Sequence, residues 1–276
     1  MFYPAIIEDM EFKTSLPTET HTKDHIYTGE VILAPGFPSS ILLARTLQSL
    51  IKDELKVSDI RRAHETHDSV ALHGKTSTLR QFVSQDSTIK NLVSSVVRDA
   101  GFREADWLLD SPQLRSLQPL GYLNTAAKPA YSGHRDTWFS YPQCMVNFWI
   151  GVTDLSAEYT FEFYPTKFKE PVTNNSKEFD YKAWSTKTGT ATFTQNSETV
   201  NAPAYGFSVK EGEVLIFSGH HYHKTIEAET NKMRFSLDFR IVCKSDVQTS
   251  NGPKNVDNES GGFAIDRFAP IPSRKT

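Results

Sequence analysis

His134 and Asp136 flank a single arginine in the stretch YSGHRDTW, residues 131–138. Imidazole and carboxylate groups both bind divalent metals. In an extended strand, side chains two residues apart point to the same face, so both groups could bind one ion beside a sheet. An H-x-D triplet also arises by chance, and the alternative is a solvated turn in which Asp136 bonds to nearby backbone. A metal site therefore needs a third ligand.

Three further histidines, His220, His221 and His223, lie downstream after the strand-like run GEVLIFSG, residues 212–219. Two histidines and one carboxylate on one side of an ion, with the other side open, are typical of non-haem Fe(II) oxygenases. On the residues alone, all three histidines are candidates for the distal ligand. A strand would place His221 and His223 on the same face, which makes His221 the main competitor of His223.

The length and composition of the chain limit the classes of protein to which it can belong. The chain has 276 residues, of which 38% are hydrophobic and 12% aromatic, enough for the core of one domain spanning 1–276. Its net charge of −3 gives no attraction for nucleic acid or anionic membranes, so we expect a small-molecule partner and a monomer or homodimer. The two cysteines are far apart, and no signal-like or membrane-spanning run occurs, so we expect a cytoplasmic protein.

Hydrophobic periodicity divides the chain into helices followed by strands. Apolar residues three and four apart predict helices over 39–55 and 76–101. Runs rich in β-branched and aromatic residues predict strands at 144–152, 158–165, 190–196, 212–219 and 234–242. The polar segment 244–262 is typical of a mobile loop. This order predicts an α+β, mainly β fold: a double-stranded β-helix (jelly roll, cupin-like) braced by N-terminal helices.

Arg234 and Ser236 follow His223, with Arg234 eleven residues after that histidine. This order of H-x-D, distant histidine and R-x-S resembles the Fe(II)/2-oxoglutarate-dependent dioxygenases. The stretches GHRDTWFSYPQCMVNFWIGV and FSGHHYHKTIEAETNKMRFSLDFR are similar to the phytanoyl-CoA-hydroxylase-like branch of that family. More narrowly, they resemble its small oxygenases that tailor aminoglycosides, amino acids and other natural products. The resemblance covers about residues 110–245.

The resemblance implies a set of roles. His134, Asp136 and His223 would bind Fe(II), and Arg234 with Ser236 would bind the distal carboxylate of 2-oxoglutarate through the planar guanidinium. With O2, the enzyme would hydroxylate, desaturate or cyclise a small polar metabolite and release succinate and CO2. Arg115, in QLRSLQP before the H-x-D motif, is a candidate for binding an anionic group on the cofactor or substrate, with a surface salt bridge as the alternative.

Substrate contacts are predicted less specifically. Trp138, Asn147 and Trp149 lie close after the H-x-D motif, although core packing would explain each of them equally well. Between Asp136 and His223 there are 86 residues, more than in plant-type members of the family that the motifs resemble. We interpret about 153–203 as an insertion that forms a lid over the cavity, with Glu162 among its candidate substrate contacts.

Two other classes of protein remain open on the sequence. A non-catalytic jelly-roll protein could use the histidines to bind a structural ion. A cupin-type isomerase or hydrolase could use Zn(II) without a co-substrate. Neither class needs an arginine to clamp a carboxylate, so the spacing of R-x-S from His223 favours the oxygenase.

Overall fold

The computed structural model describes residues 19–125, 127–188 and 194–272. Its helices are α1 (Glu19–Tyr27), α2 (Pro38–Leu55), α3 (Ser69–Gln85), α4 (Ser87–Asp99), α5 (Tyr181–Thr186) and α6 (Lys244–Thr249). Its strands are β1 (Ile32–Ala34), β2 (Trp107–Asp110), β3 (Gln113–Leu117), β4 (Val146–Gly151), β5 (Phe161–Phe163), β6 (Val214–Ser218), β7 (His223–Thr225), β8 (Arg234–Cys243) and β9 (Phe268–Pro270). Within the described ranges, no helix has the length and apolar character needed to cross a bilayer.

The helix predicted over 76–101 is two helices, because Asp86 interrupts it. Asp86 has an extended backbone, with ψ of 129°, and ends α3. Its side chain then accepts a hydrogen bond from the backbone N–H of Ile89 at the start of α4. A short acceptor side chain favours a helix start over a helix interior, so one residue ends one helix and caps the next. The helix predicted over 39–55 is confirmed as α2.

The strands form two antiparallel sheets. Seven strands form the large sheet, in the order β1-β6-β4-β8-β2-β9, with β3 also paired to β8. The small sheet pairs β5 with β7. The predicted strands at 144–152, 158–165, 212–219 and 234–242 are confirmed as β4, β5, β6 and β8, and the mixed α+β class is confirmed with them. Closure of the two sheets into a jelly roll remains a prediction.

Alternation along β4 and β8 separates a core face from a cavity face. Apolar residues such as Phe148 and Phe239 join one core cluster with Leu47 of α2 and Val93 of α4. The intervening residues of the same strands, among them Asn147, Trp149, Arg234, Ser236 and Arg240, point away from the helices, since successive side chains alternate between faces. A second cluster on that opposite face joins β4 and β6 to the phenylalanines of β5. The polar residues of β4 and β8 therefore lie between the two sheets.

The segment interpreted as an insertion, 153–203, supplies part of the small sheet. Its strand β5 pairs with β7, and Phe163 stands opposite His223 in that register. It also contains α5. The strand predicted at 190–196 falls mostly outside the described residues. Its described part forms a single bridge, between Asn196 and Asn174. The role of the segment as a lid remains a prediction.

The segment 244–262 is not the mobile loop that its polar composition predicted. It begins as α6, and the side chain of Asp257 within it is only 4% exposed. The Asp257 carboxylate accepts hydrogen bonds from Arg135 Nε at 3.0 and 2.9 Å, from Trp138 Nε1 at 2.7 Å and from the Val172 N–H at 2.9 Å. The prediction was wrong because these polar side chains point inward, which composition cannot show.

Arg135, the middle residue of the H-x-D motif, is the partner of Asp257 and is fully buried. Besides Asp257, its guanidinium donates to the carbonyl oxygens of His220, Lys167 and Glu170 at 2.6 to 2.9 Å. Burial lowers the pKa of Arg135, and the charge of Asp257 opposes that effect. One buried ion pair therefore joins the H-x-D turn to the histidine turn, the insertion and the C-terminal segment.

We expect Asp86→Ala to lower the free energy of unfolding by about 0.5–2 kcal/mol, since the cap of α4 is lost. Urea denaturation would measure this as a lower midpoint. Asp53→Ala, on the exposed side of α2, is the control and should leave the midpoint nearly unchanged. Equal midpoints for wild type and Asp86→Ala would contradict the capping role.

Asp257→Asn should lower the free energy of unfolding more than Asp86→Ala does, because it leaves the buried charge of Arg135 without its counter-ion. Breaking a buried pair in this way costs about 3–5 kcal/mol. The control is Glu65→Gln, which removes an exposed partner of Arg62 and should not shift the urea midpoint. A midpoint for Asp257→Asn equal to that of this control would show that the pair is not a structural anchor.

Candidate metal centre and substrate cavity

His134 and His223 face each other across an isolated antiparallel bridge. Each backbone N–H donates to the carbonyl of the other residue at 3.0 Å, and the two imidazole centroids are 4.6 Å apart. The predicted extended strand through the H-x-D motif is only partly correct, because Asp136 already begins a 3₁₀ turn, Asp136–Phe139. The turn still brings its carboxylate to the imidazoles. One ligand atom from each of the three residues lies within 4.8 Å of the others.

Backbone carbonyls orient both imidazoles for metal binding. His134 Nδ1 lies 2.9 Å from the carbonyl oxygen of Ser132, and His223 Nδ1 lies 3.0 Å from that of His221. A carbonyl can only accept, so each Nδ1 carries the proton and each Nε2 carries a lone pair that can bind a metal. Burial, followed by the neighbouring His134, lowers the pKa of His223 to about 4, so the ring is neutral at physiological pH. Neutral imidazole is the form that binds metal.

Asp136 is held as a carboxylate with one oxygen free. Its Oδ2 accepts a hydrogen bond from Asn147 Nδ2 at 2.6 Å and lies 3.9 Å from Arg240 Nε. Its Oδ1 faces His134 Nε2 at 3.6 Å. Burial alone would raise the pKa of Asp136, but the charge of Arg240 holds it well below its usual range. Asn147 lines the cavity as predicted for a substrate contact, but its amide N–H orients Asp136.

The competing histidines lie outside this group. The chain turns at 219–221 and β7 begins at His223, so His221 is not part of the strand on which the two histidines were compared. His221 is fully buried, with its ring centroid 4.6 Å from that of Phe168. His220 is buried too, and its Nε2 lies 3.1 Å from the carbonyl oxygen of Phe168. The structure thus brings His223, and not His221, to His134 and Asp136.

Arg234 and Ser236 offer polar groups for an anion. Arg234 is 7% exposed, and within the described ranges it has no carboxylate within 4.0 Å. Its Nη1 lies 3.3 Å from the carbonyl oxygen of Thr160, its Nε has no hydrogen-bond partner there, and its guanidinium lies 6.0 Å from the Trp149 ring. Burial lowers its pKa to about 10, so it still carries a charge at neutral pH. The Ser236 hydroxyl, also buried, has no partner among the described residues.

Arg115 lies in the wall of the same cavity but is already paired. Its Nε and Nη2 donate to the two carboxylate oxygens of Asp238 at 2.7 and 3.0 Å. The arrangement is a two-pronged ion pair, which holds the guanidinium in a fixed plane. Direct contact of Arg115 with a cofactor or substrate remains a prediction.

Of the residues predicted to contact the substrate, some line the cavity in the structure and others do not. Trp149 lines the cavity. Trp138 does not, because it is fully buried against Tyr222 and its indole N–H donates to Asp257. Glu162 also lies elsewhere. It alternates with the buried phenylalanines of β5, points to the opposite face and accepts a 2.5 Å hydrogen bond from Tyr164. Neither Trp138 nor Glu162 therefore lines this cavity, and a substrate contact for either residue stays a prediction.

Sequence reasoning missed several residues of the site. The cavity measures about 1110 Å³ and includes Asp238, Arg240, Tyr141 and Arg267, besides the three candidate ligands. The run RFSLDFR, residues 234–240, contains a signal for two of them, since its polar residues occupy every second position and must share a face. No local pattern points to Arg267, which reaches the cavity from the C-terminal segment.

Comparison with known proteins identifies the family. Residues 42–236 match the family model of phytanoyl-CoA dioxygenase (PhyH), which spans more than half of the chain. No curated protein matches the sequence. The oxygenase assignment made from the motifs is thereby confirmed at the level of the family, and the residues of the site suit its cofactors.

Solved structures with a similar arrangement include several enzymes. They include a non-haem monooxygenase, the ThoJ–Ni complex (12% identity, 80% of this chain and 76% of that one, TM-score 0.44). Another is the epimerase SnoN with Fe3+, α-ketoglutarate and nogalamycin RO (12% identity, 91% of this chain and 98% of that one, TM-score 0.45). A third is EvdO2 from Micromonospora carbonacea var. aurantiaca with 2-oxoglutarate (9% identity, 88% of this chain and 100% of that one, TM-score 0.43). These structural similarities are low, so the assignment depends on the match to the family model. On that match, the chain belongs to the phytanoyl-CoA dioxygenase family.

Proposed function

We propose that this protein is an Fe(II)- and 2-oxoglutarate-dependent dioxygenase that oxidises a carbon of a small-molecule substrate, most simply by hydroxylation. The observation that carries the proposal is the facial set of His134 Nε2, Asp136 Oδ1 and His223 Nε2, with a large cavity on its open side. Two imidazoles and one carboxylate suit Fe(II) and leave three positions open.

Iron bound by these residues would supply the dioxygen chemistry, in which 2-oxoglutarate is converted to succinate and CO2 while the substrate is oxidised. The protein's own residues bind and orient. Asn147 and Arg240 hold one oxygen of Asp136, so the other oxygen is directed to the metal. The carbonyls of Ser132 and His221 hold the rings of His134 and His223. Ligands fixed in this way need little rearrangement when the metal binds.

Arg234 and Ser236 are the proposed binding site for the distal carboxylate of 2-oxoglutarate. A buried, uncompensated guanidinium is costly unless an anion joins it. The planar guanidinium binds a carboxylate through two parallel hydrogen bonds, and the Ser236 hydroxyl, two residues along the same face, can donate a third. Trp149 lies over the Arg234 guanidinium and shields it from water.

Aromatic side chains close the other side of the centre. Phe161 and Phe217 pack against the ring of His223, with centroids 5.4 and 5.7 Å away. They restrict water near the metal and strengthen every electrostatic contact there. A zinc isomerase or hydrolase without a co-substrate would leave Arg234 unexplained, and so would a non-catalytic ion site.

Anaerobic addition of Fe(II) and 2-oxoglutarate tests the proposal directly. An oxygenase of this type should develop the visible charge-transfer band of the chelate and, in air, release succinate faster when substrate is present. A zinc enzyme or a structural ion site would show neither effect.

We expect His134→Ala, Asp136→Ala and His223→Ala to abolish turnover and iron binding while the circular dichroism spectrum stays that of the wild type. The control is His25→Ala, whose imidazole pairs with Glu30 far from the centre. Iron content per chain is the second measurement. Loss of iron in His221→Ala but not in His223→Ala would show that the wrong distal ligand was assigned.

Arg234→Lys should raise the KM for 2-oxoglutarate by about ten- to a hundredfold, because lysine keeps the charge but loses the two-pronged geometry. Iron affinity should change little. Arg45→Lys, on an exposed arginine paired with Glu211, is the matched control. An unchanged KM in Arg234→Lys, together with a raised KM in Arg240→Lys, would move the carboxylate site to Arg240.

A further inference from the structure

We propose that the substrate is an amphipathic anion whose carboxylate or phosphate group is bound by Arg267, while its apolar body lies against the aromatic wall of the cavity. This inference rests on the proposed function and deepens it. It also revises the expectation of a small, merely polar metabolite.

The charges around the cavity do not balance. Five arginines line it: Arg80, Arg115, Arg234, Arg240 and Arg267. Two aspartates line it with them, Asp136 and Asp238, and Asp110 stands directly behind. Asp266 also stands behind the aromatic wall, where it accepts a hydrogen bond from the Tyr181 hydroxyl. One positive charge is therefore left over, in a chain whose overall net charge is −3.

The proposed cofactors do not remove this excess. A divalent cation and doubly charged 2-oxoglutarate cancel each other, and Asp136 with Arg234 add one charge of each sign. Of the remaining four arginines, Arg115, Arg240 and Arg267 face Asp110 or Asp238, and Arg80 has no ion pair among the described residues. Positive charge in a partly desolvated site favours an anionic ligand, both in affinity and in rate of association.

The paired charges form a continuous ladder across the cavity floor. Arg115 binds Asp238, whose Oδ2 also lies 3.2 Å from Arg240 Nη2. Arg240 Nη1 in turn lies 3.5 Å from Asp110 Oδ2, and Arg267 Nη2 lies 3.6 Å from the same oxygen. Asp110 is thus shared by two guanidinium groups at long distances. Arg267 is the end of the ladder, and its ion pair among the described residues is this 3.6 Å contact with Asp110.

Arg267 is also held in a position suited to binding a ligand. It ends the 3₁₀ turn Ala264–Arg267, and its side chain is 26% exposed. Its guanidinium lies 5.3 Å from the Tyr141 ring and 5.7 Å from the Trp184 ring. The rings restrict its movement without satisfying its N–H donors, so these donors stay available to an anion. Arg267 lies outside the span of the family match, 42–236.

The same part of the cavity presents a wall of aromatic rings. The rings are those of Phe139, Tyr141, Phe179, Tyr181 and Trp184. Phe179 stacks edge-on against Phe139 at 5.5 Å and lies 6.3 Å from Trp184. Such a surface binds planar or apolar groups by dispersion and by removing them from water. An apolar body beside an anionic group matches this wall and Arg267 together.

Matched probes test the inference on the full chain loaded anaerobically with Fe(II) and saturating 2-oxoglutarate. The probes are 3-phenylpropanoate, phenyl phosphate and the uncharged 3-phenylpropanamide, with binding measured by calorimetry. We expect at least one anion to bind at least tenfold more tightly than the amide. The preferred anion identifies the substrate group as carboxylate or phosphate.

Arg267→Gln should weaken binding of the preferred anion at least tenfold and change binding of the amide less than twofold. Arg267→Lys should retain part of the preference for the anion. Arg45→Gln is the control arginine outside the cavity, and Kd for 2-oxoglutarate should be the same in all variants. The assignment would be overturned if the wild type bound the anions and the amide equally or bound none of the probes. It would also be overturned if Arg80→Gln, and not Arg267→Gln, removed the preference for the anion.

The two proposals fail in different ways. If the wild type does not bind Fe(II) and 2-oxoglutarate, the proposed function fails, whatever the probes do. If the holoprotein forms but shows no preference for anions, only the present inference fails.

Discussion

A buried ion pair between Arg135 and Asp257 is the constraint on which the rest of the site depends. The arginine stands between two candidate metal ligands, so whatever holds it also holds them. Its remaining N–H groups satisfy carbonyl oxygens of the histidine turn and of the insertion. Such a pair is stable in an apolar interior only when its polar groups find partners, and here each of the three guanidinium nitrogens donates at least one hydrogen bond. The metal site is therefore positioned by contacts between segments distant in the chain.

Strand alternation provides the second level of organisation. On β8 the apolar residues face the helices, while Arg234, Ser236, Asp238 and Arg240 face the cavity. A register shift of one residue would exchange these faces and bury four polar groups in the core. The dense packing of helices against the sheet therefore determines the electrostatics of the site on its other side. One face of β8 thus packs in the core and stabilises the fold, while its other face lines the cavity.

Desolvation gives the site its chemical character. Burial keeps His223 neutral, while paired charges keep Asp136 ionised, so both are in the form that binds a metal. Arg234 stays charged although burial lowers its pKa, and it has no counter-ion within 4.0 Å among the described residues. The excess of arginine over aspartate continues along the floor to Arg267. The proposed places for a metal, a dicarboxylate and an anionic substrate are therefore separate within one cavity.

The sequence by itself determined the family, the helix α2, four of the strands and the candidate ligand set, because spacing within a motif and alternation along a strand are local properties. It could not distinguish His221 from His223 by geometry, since the turn at 219–221 breaks the strand on which that comparison relied. It could not show that Trp138 and Glu162 lie away from the cavity, and it took the segment holding Asp257 for a mobile loop. Only the tertiary structure decided these points and brought Arg267 to the cavity, because burial and long-range pairing depend on which segments meet in space.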